Sequence, residues 1–141
     1  MLNFLLENIF LLLIIALSGF LLLFPRFFSA GAKTLSIKDA ILMMNRNSCA
    51  LIDLRSEDDF TSGYIANAQN IPYESIEKSV ETLKKYSNKH LILYCQKGTM
   101  SEKALSLLQK IGMENAYSIE GGLDQWIKGQ LPLASEKKYE N

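Results

Sequence analysis

The sequence has little of what staples or metallates a small fold: two cysteines, Cys49 and Cys95, and one histidine, His90, in 141 residues. Without a paired CxxC or a His/Cys ligand spacing, a structural zinc site has no ligand set. A domain of this size needs no disulfide, and both cysteines read as thiols. A charge excess is missing as well. Fifteen basic side chains balance fifteen acidic ones with no long block of one sign, so the electrostatic footprint of a nucleic-acid binder is absent and no nucleic-acid partner is expected. There are no internal repeats and no low-complexity tract.

What the chain does have is an apolar start. Ile9 to Phe24 is a sixteen-residue stretch without charge, about 24 Å long as a helix, against a hydrocarbon core of roughly 30 Å. Counted back to Phe4 the stretch has twenty-one residues. It is expected to be a single-pass transmembrane helix within residues 1–28, contacting the lipid bilayer through residues 4–24 and stopped by Pro25. Arg26, Lys33 and Lys38 follow it, which places the C-terminal part on the cytoplasmic face of the inner membrane. The competing reading is a signal peptide cleaved near Ala32, since Ala30-Gly31-Ala32 has the small-x-small form; the missing basic n-region argues against it.

Residues 29–34 read as a linker, 35–133 as one domain, and 134–141 as a polar, frayed tail. Ser36 can cap a helix that carries Ile37, Ala40, Ile41 and Met44 on one face. The runs "ALIDL" (50–54) and "LILYC" (91–95) suit strands buried on both sides, and "AYSI" (116–119) gives a third. Ile76, Val80 and Leu83 mark one intervening helix; Ala104, Leu107, Leu108 and Ile111 mark another. Strands alternating with helical stretches predict an α/β domain with a mainly parallel central sheet and helices on both faces, in three layers.

Ligands of such sheets bind beyond the carboxyl ends of strands, and Cys95 lies at one. By itself a cysteine closing an apolar strand is a packing residue, as Cys49 is expected to be at the start of "ALIDL". The loop changes the balance at Cys95. Gly98 can take a conformation that turns successive N–H groups inward as an anion nest. With Lys97 and the start of a helix near Ser101, Gln96 to Ser101 would stabilise a thiolate. No histidine is placed to act as a base; His90 lies five residues back and reads as a surface residue.

These residues resemble a rhodanese-like domain. "LIDLRSEDDFTSGYIANAQNIP" (51–72) is similar to the family's first signature, with Tyr64 standing where histidine is usual. "YCQKGTMS" is similar to the active-site loop and "IEGGLDQWIKGQLPL" (119–133) to the closing Gly-Gly…Trp signature. The resemblance implies a sulfurtransferase in which Cys95 takes sulfur from a small anionic donor such as thiosulfate, holds it as a persulfide, and passes it to a thiol or protein acceptor. It implies no metal or organic cofactor. Gln96, Lys97, Gly98, Thr99, Met100 and Ser101 would form the cradle, and Lys97 would meet the donor's anionic group. Asp53 and Arg55 would support the loop, or simply tie a strand end to the next turn. Gly121, Gly122 and Trp126 read as packing and helix-start residues, Trp126 also as a wall of the pocket. Met100 occupies the sixth loop position, where many small bacterial members carry arginine and others threonine or serine. Phosphatases of the same fold family end a seven-position loop in arginine; here that position is Ser101 and the loop has no arginine. The alternative class is a membrane-tethered, catalytically weak module that binds a partner or relays a persulfide between proteins.

Overall fold

A computed structural model describes the backbone of residues 1–28, 33–46 and 48–135, and the side chains at those positions apart from 21–28. It divides into two compact units, Met1–Gly31 and Ala32–Asn141. The first contains α1 (Leu2–Glu7) and α2 (Ile9–Phe28). Asn8 closes α1, its backbone N–H bonded to the Phe4 carbonyl. Pro25 does not stop the helix as expected: α2 continues through it to Phe28. The expected transmembrane helix is not supported, because among the described residues no helix is long and apolar enough to cross a membrane.

The second unit is built on a five-stranded sheet: β1 (Thr34–Leu35), β2 (Cys49–Asp53), β3 (Ala68–Asn70), β4 (His90–Tyr94) and β5 (Ala116–Ile119). The strand order is β1-β5-β4-β2-β3, and every pairing is parallel. The helices between the strands are α3 (Ile37–Arg46), α4 (Glu57–Ser62), α5 (Val80–Lys84) and α6 (Thr99–Lys110), followed by α7 (Gly122–Lys128). Two strands escape the sequence reading. β1 begins at Thr34, inside the expected linker, whose positions 29–32 lie outside the described residues. β3 is three residues, Gln69 exposed between half-buried neighbours, without a long apolar run.

β4 sits at the centre because its side chains are apolar on both faces. Leu91, Leu93 and Cys95 pack with Ala104, Leu105 and Leu108 of α6 and Leu83 of α5. Ile92 and Tyr94 point the other way, against Ala40 of α3 and Leu123 and Trp126 of α7. The alternation is the period-two geometry of a strand, and it produces the expected three layers. Each fully buried leucine or isoleucine on this strand contributes about 1.5–3 kcal/mol relative to exposure. Trp126 therefore belongs to the core opposite α6, with its Nε1–H donated to the Pro132 carbonyl at 3.1 Å. Among the described residues it does not line the pocket at Cys95, which corrects the expectation that it would.

Other expected elements shift. Ile76 falls in a turn between a short 3-10 segment, Tyr73–Ser75, and α5, so the single helix expected there is divided. α6 starts at Thr99, two residues earlier than the sequence suggests. Ala134 is not frayed: it pairs with Tyr64, donating its N–H at 2.8 Å and accepting one at 2.9 Å. Residues 136–141, the rest of the expected tail, lie outside the described residues.

From β2 the chain moves outward to β3, returns to β4 on the other side of β2, and continues outward to β5. The reversal lies between β2 and β4, where an open parallel sheet leaves a crevice at its carboxyl edge. The register Asp53↔Tyr94 brings the residues that follow these two strands to that edge.

Candidate active site

Cys95 follows β4 directly, is 4% exposed and lines a pocket of about 230 Å³. The chain turns at Gly98, whose φ of 96° lies in the left-handed region; a side chain there would also press on Gly121, its Cβ 3.1 Å from the backbone nitrogen. This turn aims two backbone N–H groups at the Cys95 Sγ: Gly98 N at 3.1 Å and Ser101 N at 3.4 Å. Ser101 is fully buried and donates its hydroxyl to the Gly98 carbonyl at 2.9 Å, which closes the turn. The Cys95 thiol donates to the Ser101 Oγ at 3.7 Å. Fixed N–H dipoles around a sulfur in a nearly dry position stabilise negative charge on it, as thiolate or as persulfide. Gln96, Lys97, Thr99 and Met100 line the pocket.

The carbonyl side of the loop is held by the start of α7. Leu123 N donates to the Cys95 carbonyl at 2.8 Å and Asp124 N to the Gln96 carbonyl at 2.9 Å. Pulling both carbonyls toward α7 leaves the opposite side of the peptide planes to the sulfur. Gly122 makes this contact possible. Its φ is 59°, and a Cβ on it would lie 2.3 Å from the Cys95 oxygen and 2.8 Å from Gly98 N. The side chains repeat the tie, with Gln96 Nε2 donating to Asp124 Oδ1.

A third support comes from β2. Asp53 is fully buried and pairs with Arg55, itself 8% exposed, through contacts of 2.7 and 3.1 Å. Burial works against the Arg55 charge, but the hydrogen bonds and the negative charge of Asp53 outweigh it and raise the guanidinium pKa above its usual range. Arg55 Nη2 also donates to the Gly63 carbonyl at 2.6 Å, and Nη1 reaches Gln96 Oε1 at 3.5 Å. Asn70 Nδ2 holds the Asp53 and Arg55 carbonyls. The pair thus ties the strand end to Gly63 and reaches the loop at Gln96. Beneath it, the Tyr94 hydroxyl accepts the Ile65 N–H at 3.1 Å. Burial first, then the neighbouring Asp53 charge, pushes the Tyr94 pKa well above the usual phenol range.

The sequence model of the family "Rhodanese-like domain" matches residues 36–129. The chain belongs to that family. Similar proteins include the tRNA uridine(34) hydroxylases of Buchnera aphidicola, 31% identical over 98 residues, and of Salmonella agona, 29% identical over the same length. Each alignment covers 67% of this chain but only 31% and 28% of the relative, so the chain spans less than a third of the curated relatives it matches. Among solved structures, a rhodanese-related protein of Thermoplasma volcanium superposes with a TM-score of 0.67 at 25% identity, covering 74% of this chain and 99% of that one. A human single-domain sulfurtransferase does so with a TM-score of 0.60 at 25% identity, covering 70% and 97%.

Within this rhodanese-like domain, the expected loop residues and the expected support pair meet at one sheet edge. Three contributors were not legible as such. Gly122 and Asp124 were hidden because a glycine pair before a helix is also an ordinary way to start one; the signal was two glycines in succession. Asp59 lines the pocket although it reads as a first-turn acid of α4. Tyr64, in the place usual for histidine, stacks on Phe60 with ring centres 4.2 Å apart. Cys49 lies at the opposite end of β2, half-buried, its thiol donated to the Met43 carbonyl at 3.4 Å and its pKa raised by burial. Among the described residues no cluster of His, Cys, Asp and Glu could hold a metal ion.

Proposed function

We propose that this rhodanese-like domain is a sulfurtransferase in which Cys95 carries the sulfur. The Cys95 thiolate attacks the outer sulfur of a sulfane donor, thiosulfate being one such compound, and the donor's sulfur–sulfur bond breaks. The leaving group departs with the electron pair, and the persulfide then passes its outer sulfur to a thiophilic acceptor, either a small thiol or a protein. The observation that carries this reading is the Cys95 sulfur facing the N–H groups of Gly98 and Ser101, in a residue that lines a pocket. A seven-position loop ending in arginine would favour phosphate; here Ser101 fills that place.

The test is transfer. The full chain, loaded in turn with thiosulfate and inorganic polysulfide, should pass sulfur to cyanide as thiocyanate, and Cys95→Ser should not. Absence of transfer after both donors would contradict the reading.

A second reading, a tethered module that relays persulfide between proteins, draws support from the N-terminal unit. Phe4, Leu6, Phe10 and Leu13 expose between 60% and 81% of their surface, more apolar area on one unit than a protein surface usually leaves open. We infer that these side chains meet a lipid bilayer. Flotation with phosphatidylcholine vesicles tests this; a chain that stays at the bottom of the gradient contradicts it. The hydroxylase name belongs to proteins far longer than this chain, and the balanced charge supports a small-molecule or protein substrate over RNA.

A further inference from the structure

The pocket above Cys95 has an unusual balance for a site that would take a doubly charged anion. Every nitrogen of the Arg55 guanidinium already has an acceptor: Nε and Nη2 on Asp53, Nη2 also on Gly63, and Nη1 on Gln96. The Asp53 carboxylate offsets that charge. Lys97 is the remaining cation of the lining, and Asp59 sets a carboxylate in the same lining, with Glu57 and Asp58 beside it in the first turn of α4. The mouth therefore has no net positive charge to offer a sulfonate. Its apolar surface comes from Leu54, nearly buried, and from Met100, whose flexible thioether chain is 42% exposed at the rim. Methionine adapts to aliphatic surfaces of many shapes.

We propose that the sulfur donor taken by this pocket is an organic hydropersulfide, R–S–S–H, with an apolar R group that lies on Met100 and Leu54, and that Met100 selects it over anionic donors. This rests on the sulfurtransferase reading of Cys95. The Cys95 thiolate attacks the terminal sulfur of R–S–S–H and forms the new sulfur–sulfur bond. The donor's own sulfur–sulfur bond breaks, R–S⁻ leaves with the electron pair, and the hydrogen stays on the transferred sulfur until the persulfide ionises toward Gly98 N and Ser101 N. No oxidant or reductant is consumed. An apolar R group displaces water chiefly from Met100, whereas a sulfonate in the same lining finds the Lys97 charge offset by the Asp59 carboxylate.

The experiment compares two donors with the same reacting bond and the same carbon count, propyl hydropersulfide and 3-sulfonatopropyl hydropersulfide, on the full chain in a non-ionic detergent. The readout is kcat/KM for gain of one sulfur by Cys95, followed by intact mass. We expect the propyl donor to be favoured by about tenfold. Met100→Leu should keep that preference, and Met100→Arg should reduce it by about tenfold while speeding loading from thiosulfate. Equal rates for the two donors, or an unchanged preference in Met100→Arg, would overturn the donor assignment while leaving Cys95 a sulfur acceptor. No loading from either donor or from inorganic polysulfide would overturn the sulfurtransferase reading, and the donor assignment with it.

Discussion

The α-carbon of Gly122 is seated so close to the Cys95 carbonyl that a Cβ on it would stand 2.3 Å from the oxygen. The nucleophile's own peptide is thereby clamped to the start of α7, and the sulfur cradle depends on a residue twenty-seven positions away, 122 less 95.

Gly122→Ala is predicted to damage both fold and function. The left-handed φ of 59° alone costs about 1–2 kcal/mol for alanine. Relief of the clash must push α7 off the loop, so Leu123 N and Asp124 N release their carbonyls. Thermal unfolding should show the loss of stability, and sulfur loading should fall by much more than the lost stability explains. Wild-type loading in Gly122→Ala would show that the clamp does not set the cradle.

Arg55→Lys keeps a charge but not the fork. An ammonium can meet Asp53 yet cannot also span Gly63 and Gln96. We predict slower loading of Cys95 with a measurable loss of stability. Arg55→Ala, which leaves Asp53 buried without its partner, should cost about 3–5 kcal/mol by urea unfolding. A Lys variant that loads sulfur at the wild-type rate would reduce Arg55 to a tie within β2.

Ser101→Ala removes the hydroxyl that closes the turn on the Gly98 carbonyl while keeping the Ser101 N–H that faces the sulfur. The Gly98 carbonyl keeps the Glu102 N–H at 3.1 Å, so losing the hydroxyl should cost about 0.5–1.5 kcal/mol. Loading should slow several-fold rather than vanish, because Gly98 N remains. Complete loss of loading with the fold intact would assign the hydroxyl a direct part in the chemistry.

The alkaline limb of stability should follow Tyr94. Its pKa is raised in the folded protein, so the folded state holds the phenolic proton more tightly than the unfolded chain does. That contribution is fully present below the unfolded value of about 10 and is lost as pH rises from there toward the folded value. Urea midpoints measured from pH 8 to 11 should decline above about pH 10, and Tyr94→Phe should flatten that decline. A decline of equal steepness in Tyr94→Phe would place its origin elsewhere.

How much of this could be read in advance depended on where the apolar residues fall. β2, β4 and β5 announced themselves because strands covered on both faces are continuously apolar, and the loop after Cys95 was found because it follows one of them. β1 and β3 are short edge strands whose half-buried and exposed residues leave no run to detect. The single helix expected over Ile76 to Leu83 broke because Ile76 is buried from a turn rather than from a helix face. At the site, Cys95 and Gly98 were legible from local pattern, and Asp53 and Arg55 from the family resemblance. Neither could place Asp124 on Gln96 or Asp59 in the pocket, since both meetings depend on which strand ends the sheet brings together.

The most direct measurement is peptide mapping by mass spectrometry of the full chain after brief exposure to inorganic polysulfide at neutral pH, without a reducing step. The account predicts one added sulfur on the peptide carrying Cys95 and none on that carrying Cys49, whose burial-raised thiol is engaged with the Met43 carbonyl and lacks a cradle. Sulfur distributed equally between the two cysteines, or found on Cys49 alone, would contradict it.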